Sequence, residues 1–217
     1  EGVELKGEGT IGLITYLRTD STRVSDEAKV SAAAFIKENY GEEYQSAESR
    51  TAKVSATKVQ DAHEAIRPTS IARRPEDVAR YLNRDQLRLY SMIWNRAVAS
   101  QMEDAVYDAT TLMISAGDYT LRATGSVLKF AGFLELNGAL ADPEKDKPVP
   151  FIAEGTEVQL HKLMPAEQHF TEPPAHFTEA TLVKELEDKG IGRPSTFATT
   201  IATIQDRGYV MRDGKKL

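Results

Sequence analysis

LITYLRTDSTRVSDEAKVSAAAFIKENYG, residues 13–41, changes its period part-way along. Leu13 to Leu17 is short and largely apolar, which predicts a strand. Thr19, Asp20, Ser21 and Thr22 then supply the side-chain oxygens that turns and helix starts use. Ser25 is placed to cap a helix, and Asp26 and Glu27 suit its first turn. Ala28, Ala32, Phe35, Ile36 and Tyr40 recur at helical spacing up to Gly41. A strand running into a capped helix is the expected local fold.

Residues 1–10 are polar and glycine-containing, and the chain opens on Glu1, as an excised piece of a longer protein would. Residues 42–60 are rich in Ser, Thr and Ala and read as a loop, followed by a helical turn over 62–67 that Pro68 stops. Pro75 with Glu76 and Asp77 opens one helix. A longer one runs from about Asp85 toward Met102, carrying Leu87, Tyr90, Trp94 and Val98. From Tyr107 the period becomes two: Thr110–Ile114, a Gly117-Asp118 turn, Tyr119–Ala123, Val127–Phe133 and Val158–Leu163 are expected strands. Helix returns at the end, where Thr178 caps a segment closed by Gly190 and Ser195 caps a second closed by Gly208. Tyr209-Val210 would begin a β wing. The chain is thus α+β: helical first, β-rich in the middle, helix-turn-helix last.

At 217 residues and 24.0 kDa, with 41% hydrophobic and 28% charged residues, the chain can build one large core or two modest ones. No stretch reaches the ~20 apolar residues of a membrane span. The absence of cysteine excludes a disulfide scaffold, a thiolate zinc site and a cysteine nucleophile, and a reducing, cytoplasmic setting is expected. The four histidines show no metal-ligand spacing. A net charge of −6 predicts repulsion from a polyanion, but the charge is uneven. Residues 142–188 hold eleven acidic and four basic side chains, whereas 51–74 hold five basic against two acidic and 189–217 six against two.

Three constellations carry chemistry. In Ile14-Thr15-Tyr16-Leu17-Arg18-Thr19-Asp20-Ser21, a strand would put Tyr16 and Arg18 on one face. A phenol is a weak nucleophile at neutral pH, and an adjacent guanidinium both favours the phenolate and offers forked donors to a phosphate. A half-buried aromatic beside a solvated arginine uses the same residues, and spacing alone does not separate the two readings. In DAHEAIRPT, residues 61–69, His63 and Arg67 stand four apart. One helical turn would aim both at a phosphodiester, with Glu64 orienting either; a surface helix end is the plainer alternative. In KGIGRPST, residues 189–196, two glycines, Arg193 and a capped helix start suit a DNA phosphate, or equally a plain helix connection.

ITYLRTDSTRVS, DAHEAIRPT and FTEATLVKELEDKGIGRPSTFATTIATIQDRGYV, in that order, resemble the signature segments of bacterial type IA DNA topoisomerases. The likeness runs through essentially the whole chain. It implies that Tyr16 attacks a DNA phosphodiester and becomes joined to the 5′ phosphate, and that the free 3′ hydroxyl reverses the step. Strand passage through the gap would relax negative supercoils without ATP. The resemblance gives Arg18 and His63 catalytic roles at the scissile phosphate. Contacts to single-stranded DNA would come from Arg18, Thr19, Asp20, Ser21, His63, Glu64, Arg67, Arg193, Ser195, Thr196 and Arg207. It implies a CAP-like, winged-helix-like helical domain over residues 1–104 that bears the tyrosine, a β-rich arch segment over 105–170, and over 171–217 a helix-turn-helix part of a larger DNA-binding domain.

In that family an N-terminal Toprim domain supplies a lysine, a general-acid glutamate and an acidic Mg²⁺ site, and no DxD string of that kind stands here. The Mg²⁺ is therefore expected in the parent enzyme's Toprim domain and not in this chain, and the chain alone is expected to be inactive or nearly so. Its partners would be DNA and the missing Toprim and C-terminal domains, with zinc-ribbon tails lying beyond Leu217. KGIGRPST and IQDRGYV resemble the relaxing enzyme more than the decatenating branch or reverse gyrase. A non-catalytic helix-turn-helix DNA-binding module is the reading from another class.

Overall fold

A computed structural model of the chain describes residues 2–17, 21–46, 64–136 and 148–217. The chain divides into two compact units, Glu1–Thr156 and Glu157–Leu217. Helices and small antiparallel sheets together make an α+β fold. In the first unit, β1 (Val3–Leu5) and β2 (Gly9–Ile11) pair antiparallel, with Val3 opposite Ile11 and Leu5 opposite Gly9. The polar opening run gives no sign of this hairpin, because only its three apolar residues, Val3, Leu5 and Ile11, meet the core.

α1 (Asp26–Asn39) begins where the Ser25 hydroxyl accepts the Ala28 N–H at 3.4 Å, as its sequence predicts. α2 (Pro75–Val78) is a single turn opened by proline. α3 (Arg84–Ala99) starts one residue earlier than expected, because Asn83 caps it by accepting the Gln86 N–H at 2.9 Å. α3 turns Tyr90, Trp94 and Val98, spaced by four, into the core, where they meet Phe35 and Ile36 of α1. Phe35 lies edge-on to Trp94 at 5.7 Å and 87°. Both large aromatics of α3 carry a polar atom into this core, and one short segment answers both. The Tyr90 hydroxyl donates to Arg73 O at 2.7 Å and Trp94 Nε1 donates to Ile71 O at 2.9 Å. Residues 71–73 are thereby fixed to α3, and the chain just after Pro68 is fixed with them.

β3 (Val106–Ala116) and β4 (Tyr119–Phe130) form a long two-stranded ribbon around the Gly117-Asp118 turn, with a bulge at Val106/Tyr107. Its root is held where Tyr44 packs on Phe130 at 4.8 Å and where Phe133 N donates to Glu103 O at 2.9 Å. Gly132, at φ +50°, passes so close to the Asp104 carbonyl that a Cβ would sit 2.5 Å from it.

Several expected boundaries change. Leu13–Leu17 is no regular strand; among the described residues only Ile14 of this segment makes a bridge, to Pro68. Tyr119–Ala123 and Val127–Phe133 are not separate strands, because Thr124, Gly125 and Ser126 stay paired with Thr111, Thr110 and Ala109, and residues 132–135 form a 3₁₀ turn. Val158–Leu163 alternates as a strand does but pairs with nothing among the described residues, and extended chain without a partner is no sheet. Residues 64–67, expected in a helical turn, are not helical. The loop expected over 42–60 opens with a 3₁₀ turn at Glu42–Tyr44, and its residues from 47 onward lie outside the described residues.

The second unit holds α4 (Glu179–Asp188) and α5 (Pro194–Asp206). α4 ends in paired bonds, Gly190 N to Glu187 O at 2.9 Å and Ile191 N to Leu186 O at 2.8 Å, which require the left-handed backbone that Gly190 supplies at φ +66°. Ser195 was expected to cap α5, but Arg193 occupies the cap, Pro194 the first position and Ser195 the second. Proline fixes the first helical residue, which moves the cap two residues earlier. Tyr209-Val210 begins no β wing; the final bridge joins Asp213 to Lys216, and Lys216 also bridges back to Thr178.

Burial pushes the Tyr90 phenol up to about 12, with Arg73 opposing and Asp77 adding to the rise. A raised phenol pKa favours the fold up to the unfolded value near ~10, and that contribution is lost as pH rises through the folded value. Tyr90→Phe also leaves the Arg73 carbonyl without its donor. It is expected to destabilise the chain by about 1–2 kcal/mol at pH 7 and to flatten the stability loss above about pH 10. Thermal unfolding followed by the emission of Trp94, the single tryptophan, measures both.

Candidate functional site

The segment 12–15 and the segment 65–69 lie side by side and antiparallel. Thr69 N donates to Leu13 O at 3.0 Å, the Thr69 hydroxyl to Gly12 O at 2.7 Å and Thr15 N to Arg67 O at 2.9 Å. At the end of this short ladder the Thr15 hydroxyl works in two directions, donating to Ala65 O at 2.9 Å and accepting from Arg67 N at 3.0 Å. The next residue, Tyr16, stands 70% exposed. A large aromatic is held in solvent directly after a firmly bonded segment.

Arg67 and Glu64 brace the ladder from behind. The Arg67 guanidinium gives Nε and Nη2 to Glu64 Oε2 at 3.1 and 2.8 Å, Nη1 to Pro68 O at 3.1 Å and Nη2 to the Ser25 hydroxyl at 3.4 Å. Burial pushes the Glu64 carboxyl up, but bonds from Arg67 and Ser25 and the charges of Arg67 and Arg23 outweigh it, so its pKa falls below the ordinary value. Ala65 N donates to Arg23 O at 2.8 Å, which ties the same segment to the residues entering α1. A cavity of about 750 Å³ opens between α1, residues 65–71 and the end of α3, with Ser21, Glu27, Arg67, Ser70 and Arg96 on its walls.

Of the residues singled out in sequence, Arg18, Thr19, Asp20 and His63 lie outside the described residues. Ser21 is buried, and its hydroxyl accepts the Arg23 N–H at 3.2 Å. Glu64 and Arg67 are brought together on a non-helical segment, so the helical argument for a shared face does not hold over 64–67. In the second unit, Thr196 Oγ1 accepts from Arg193 N at 2.9 Å and donates to Arg193 O at 3.0 Å. Arg193 and Arg207 are both exposed at opposite ends of the 13-residue α5, roughly 20 Å apart along the axis. They cannot grip one phosphate. Among the described residues no group of three or more His, Asp or Glu stands close enough to share a metal ion.

Comparison with known proteins decides the family. The DNA topoisomerase family matches residues 8–217. The full-length topoisomerase I of Thermotoga maritima has a similar structure, with a TM-score of 0.75 and 36% sequence identity over 99% of this chain. The chain belongs to the bacterial type IA DNA topoisomerases. It spans 34% of the length of the Thermotoga topoisomerase.

In this topoisomerase chain, sequence reasoning singled out Tyr16 and passed over Thr15, whose hydroxyl makes the two bonds to residues 65 and 67. The available signal was a hydroxyl-bearing, β-branched residue directly before the tyrosine. Its partners, Ala65 and Arg67, are fifty or more positions away, and nothing local announces them.

Glu64 with a lowered pKa favours the fold above its unfolded value, and this contribution is lost as pH falls through the folded value. Glu64→Gln is expected to destabilise the chain by about 1 kcal/mol at neutral pH. The gap to the parent sequence should close between about pH 5 and pH 3. Chemical denaturation across that range reads the gap directly.

Proposed function

We propose that this chain is the tyrosine-bearing, DNA-gating part of a topoisomerase that relaxes negative supercoils without ATP. The observation that carries the reading is the presentation of Tyr16, exposed in solvent after a bonded ladder, inside the segment that matches the topoisomerase family. The phenolic oxygen forms a bond to a strand's phosphorus while the bond from phosphorus to the 3′ oxygen breaks. The phenol gives up its proton as the bond forms and the 3′ oxygen takes one up as it leaves, so no net proton is gained or lost, and the 5′ end remains on Tyr16. Attack by the same 3′ hydroxyl reseals the strand. Arg18 and His63 neutralise charge on the scissile phosphate, and Arg193, Ser195, Thr196 and Arg207 follow the strand as it leaves the gate.

On this reading residues 1–104 form the tyrosine domain, 105–170 part of an arch and 171–217 part of a second DNA-binding domain. The lysine, glutamate and Mg²⁺ site that assist the leaving group come from a Toprim domain elsewhere in the enzyme. A helix-turn-helix module without chemistry would explain α4 and α5 equally well, but gives no reason for the exposed Tyr16.

Two measurements test the proposal. The full-length enzyme with Tyr16→Phe is expected to form no covalent adduct with single-stranded DNA, and retained adduct would remove Tyr16 as nucleophile. This chain alone, incubated with single-stranded DNA and Mg²⁺, is expected to form no detectable adduct, and adding the Toprim part should restore some. Robust cleavage by the chain alone would overturn the division of labour between the two parts.

A further inference from the structure

We infer that Thr15 is the positioning residue of the cleavage step, an inference that rests on Tyr16 being the nucleophile. In a continuing antiparallel ladder, Arg67 N–H would go to the carbonyl of Thr15, completing the exchange begun by Thr15 N to Arg67 O at 2.9 Å. Here the Thr15 hydroxyl takes that N–H instead, at 3.0 Å, and passes its own hydrogen to Ala65 O at 2.9 Å. The side chain stands in for the main chain at the last rung. The ladder therefore stops at residue 15, and Tyr16 begins the departure from it.

The Thr15 side chain is partly buried against residues 65–67, whereas Tyr16 beside it is exposed. The hydroxyl thus holds the chain on its buried side while the next residue stands in solvent. Glu64 and Arg67 make the acceptor side rigid, because the guanidinium that follows the Arg67 N–H is clamped to Glu64, Ser25 and Pro68. The Arg67 main chain also cannot slide, since Thr69 and Leu13 bond two residues further along. A hydroxyl on a β-branched carbon meets both demands: the branch limits its rotamers, and the oxygen both donates and accepts. Serine keeps the two bonds with looser rotamers. Valine keeps the shape and loses both bonds, leaving Arg67 N–H to seek the Thr15 carbonyl and to draw the start of Tyr16 into the ladder.

The test uses the full-length enzyme and a short single-stranded oligonucleotide under single-turnover conditions, below the melting temperature of each variant. Thr15→Val is expected to slow covalent adduct formation by about 10–100-fold at saturating oligonucleotide, as a nucleophile misplaced by about an ångström would. Its oligonucleotide Kd should stay within about 2-fold of wild type, and Thr15→Ser should keep the rate within about 3-fold. Thr15→Cys, with a weaker donor and acceptor, should fall between Ser and Val and serves where Val does not fold. A Val rate equal to wild type, a loss confined to Kd, or Ser falling as far as Val would overturn the inference. Tyr16→Phe run alongside separates the two layers: adduct from Tyr16→Phe ends the nucleophile reading itself, whereas no adduct from it together with a normal rate for Thr15→Val ends only the role of Thr15.

Discussion

The antiparallel stitch between residues 12–15 and 65–69 is the constraint on which the site depends. Tyr16 is exposed, so burial of its ring contributes little to its placement. The backbone on its N-terminal side is bonded at residues 12, 13 and 15 to a partner segment. That partner is itself anchored two ways. Tyr90 and Trp94 of α3 hold residues 71–73 through their polar atoms, and the Glu64–Arg67 pair reaches the cap of α1 through Ser25. The aromatic core of the first unit and the segment before Tyr16 are therefore joined by a short run of chain.

What could be read from the sequence was what local physics determines. The cap at Ser25, the proline start at Pro75, the four-residue stripe of α3 and the glycine end of α4 each involve residues within a turn of one another, so their signals sit together in the chain. The ladder beside Tyr16 joins residues more than fifty positions apart, and its hydrogen bonds are largely main-chain and so nearly independent of residue type. The same limit explains Val158–Leu163, which has no partner strand among the described residues. It also explains residues 64–67, whose helical spacing yielded to pairing with Gly12–Thr15. The family was legible because the strings that carry it are contiguous, but how Arg67 is used in the fold was not. Its guanidinium turns to Glu64 and Ser25, a choice that only the folded neighbourhood sets.

The charge of the chain fits this division. The overall −6 is concentrated in residues 142–188, where eleven acidic side chains face four basic ones. The segments carrying Arg67 and Arg193 are locally positive, so a strand would be attracted at particular places instead of along the whole surface. Arg193 and Arg207 stand exposed at the two ends of α5, too far apart to meet at one phosphate.

The central claim concerns one oxygen among the hydroxyls of eight tyrosines. The most direct measurement traps the full-length enzyme on a single-stranded oligonucleotide, digests the adduct with protease and nuclease, and locates the added nucleotide by mass spectrometry. The account predicts a phosphonucleotide on the peptide that contains Tyr16, linked through the 5′ phosphate of the cut strand. A nucleotide found on any other residue, or a linkage to the 3′ phosphate, would contradict it.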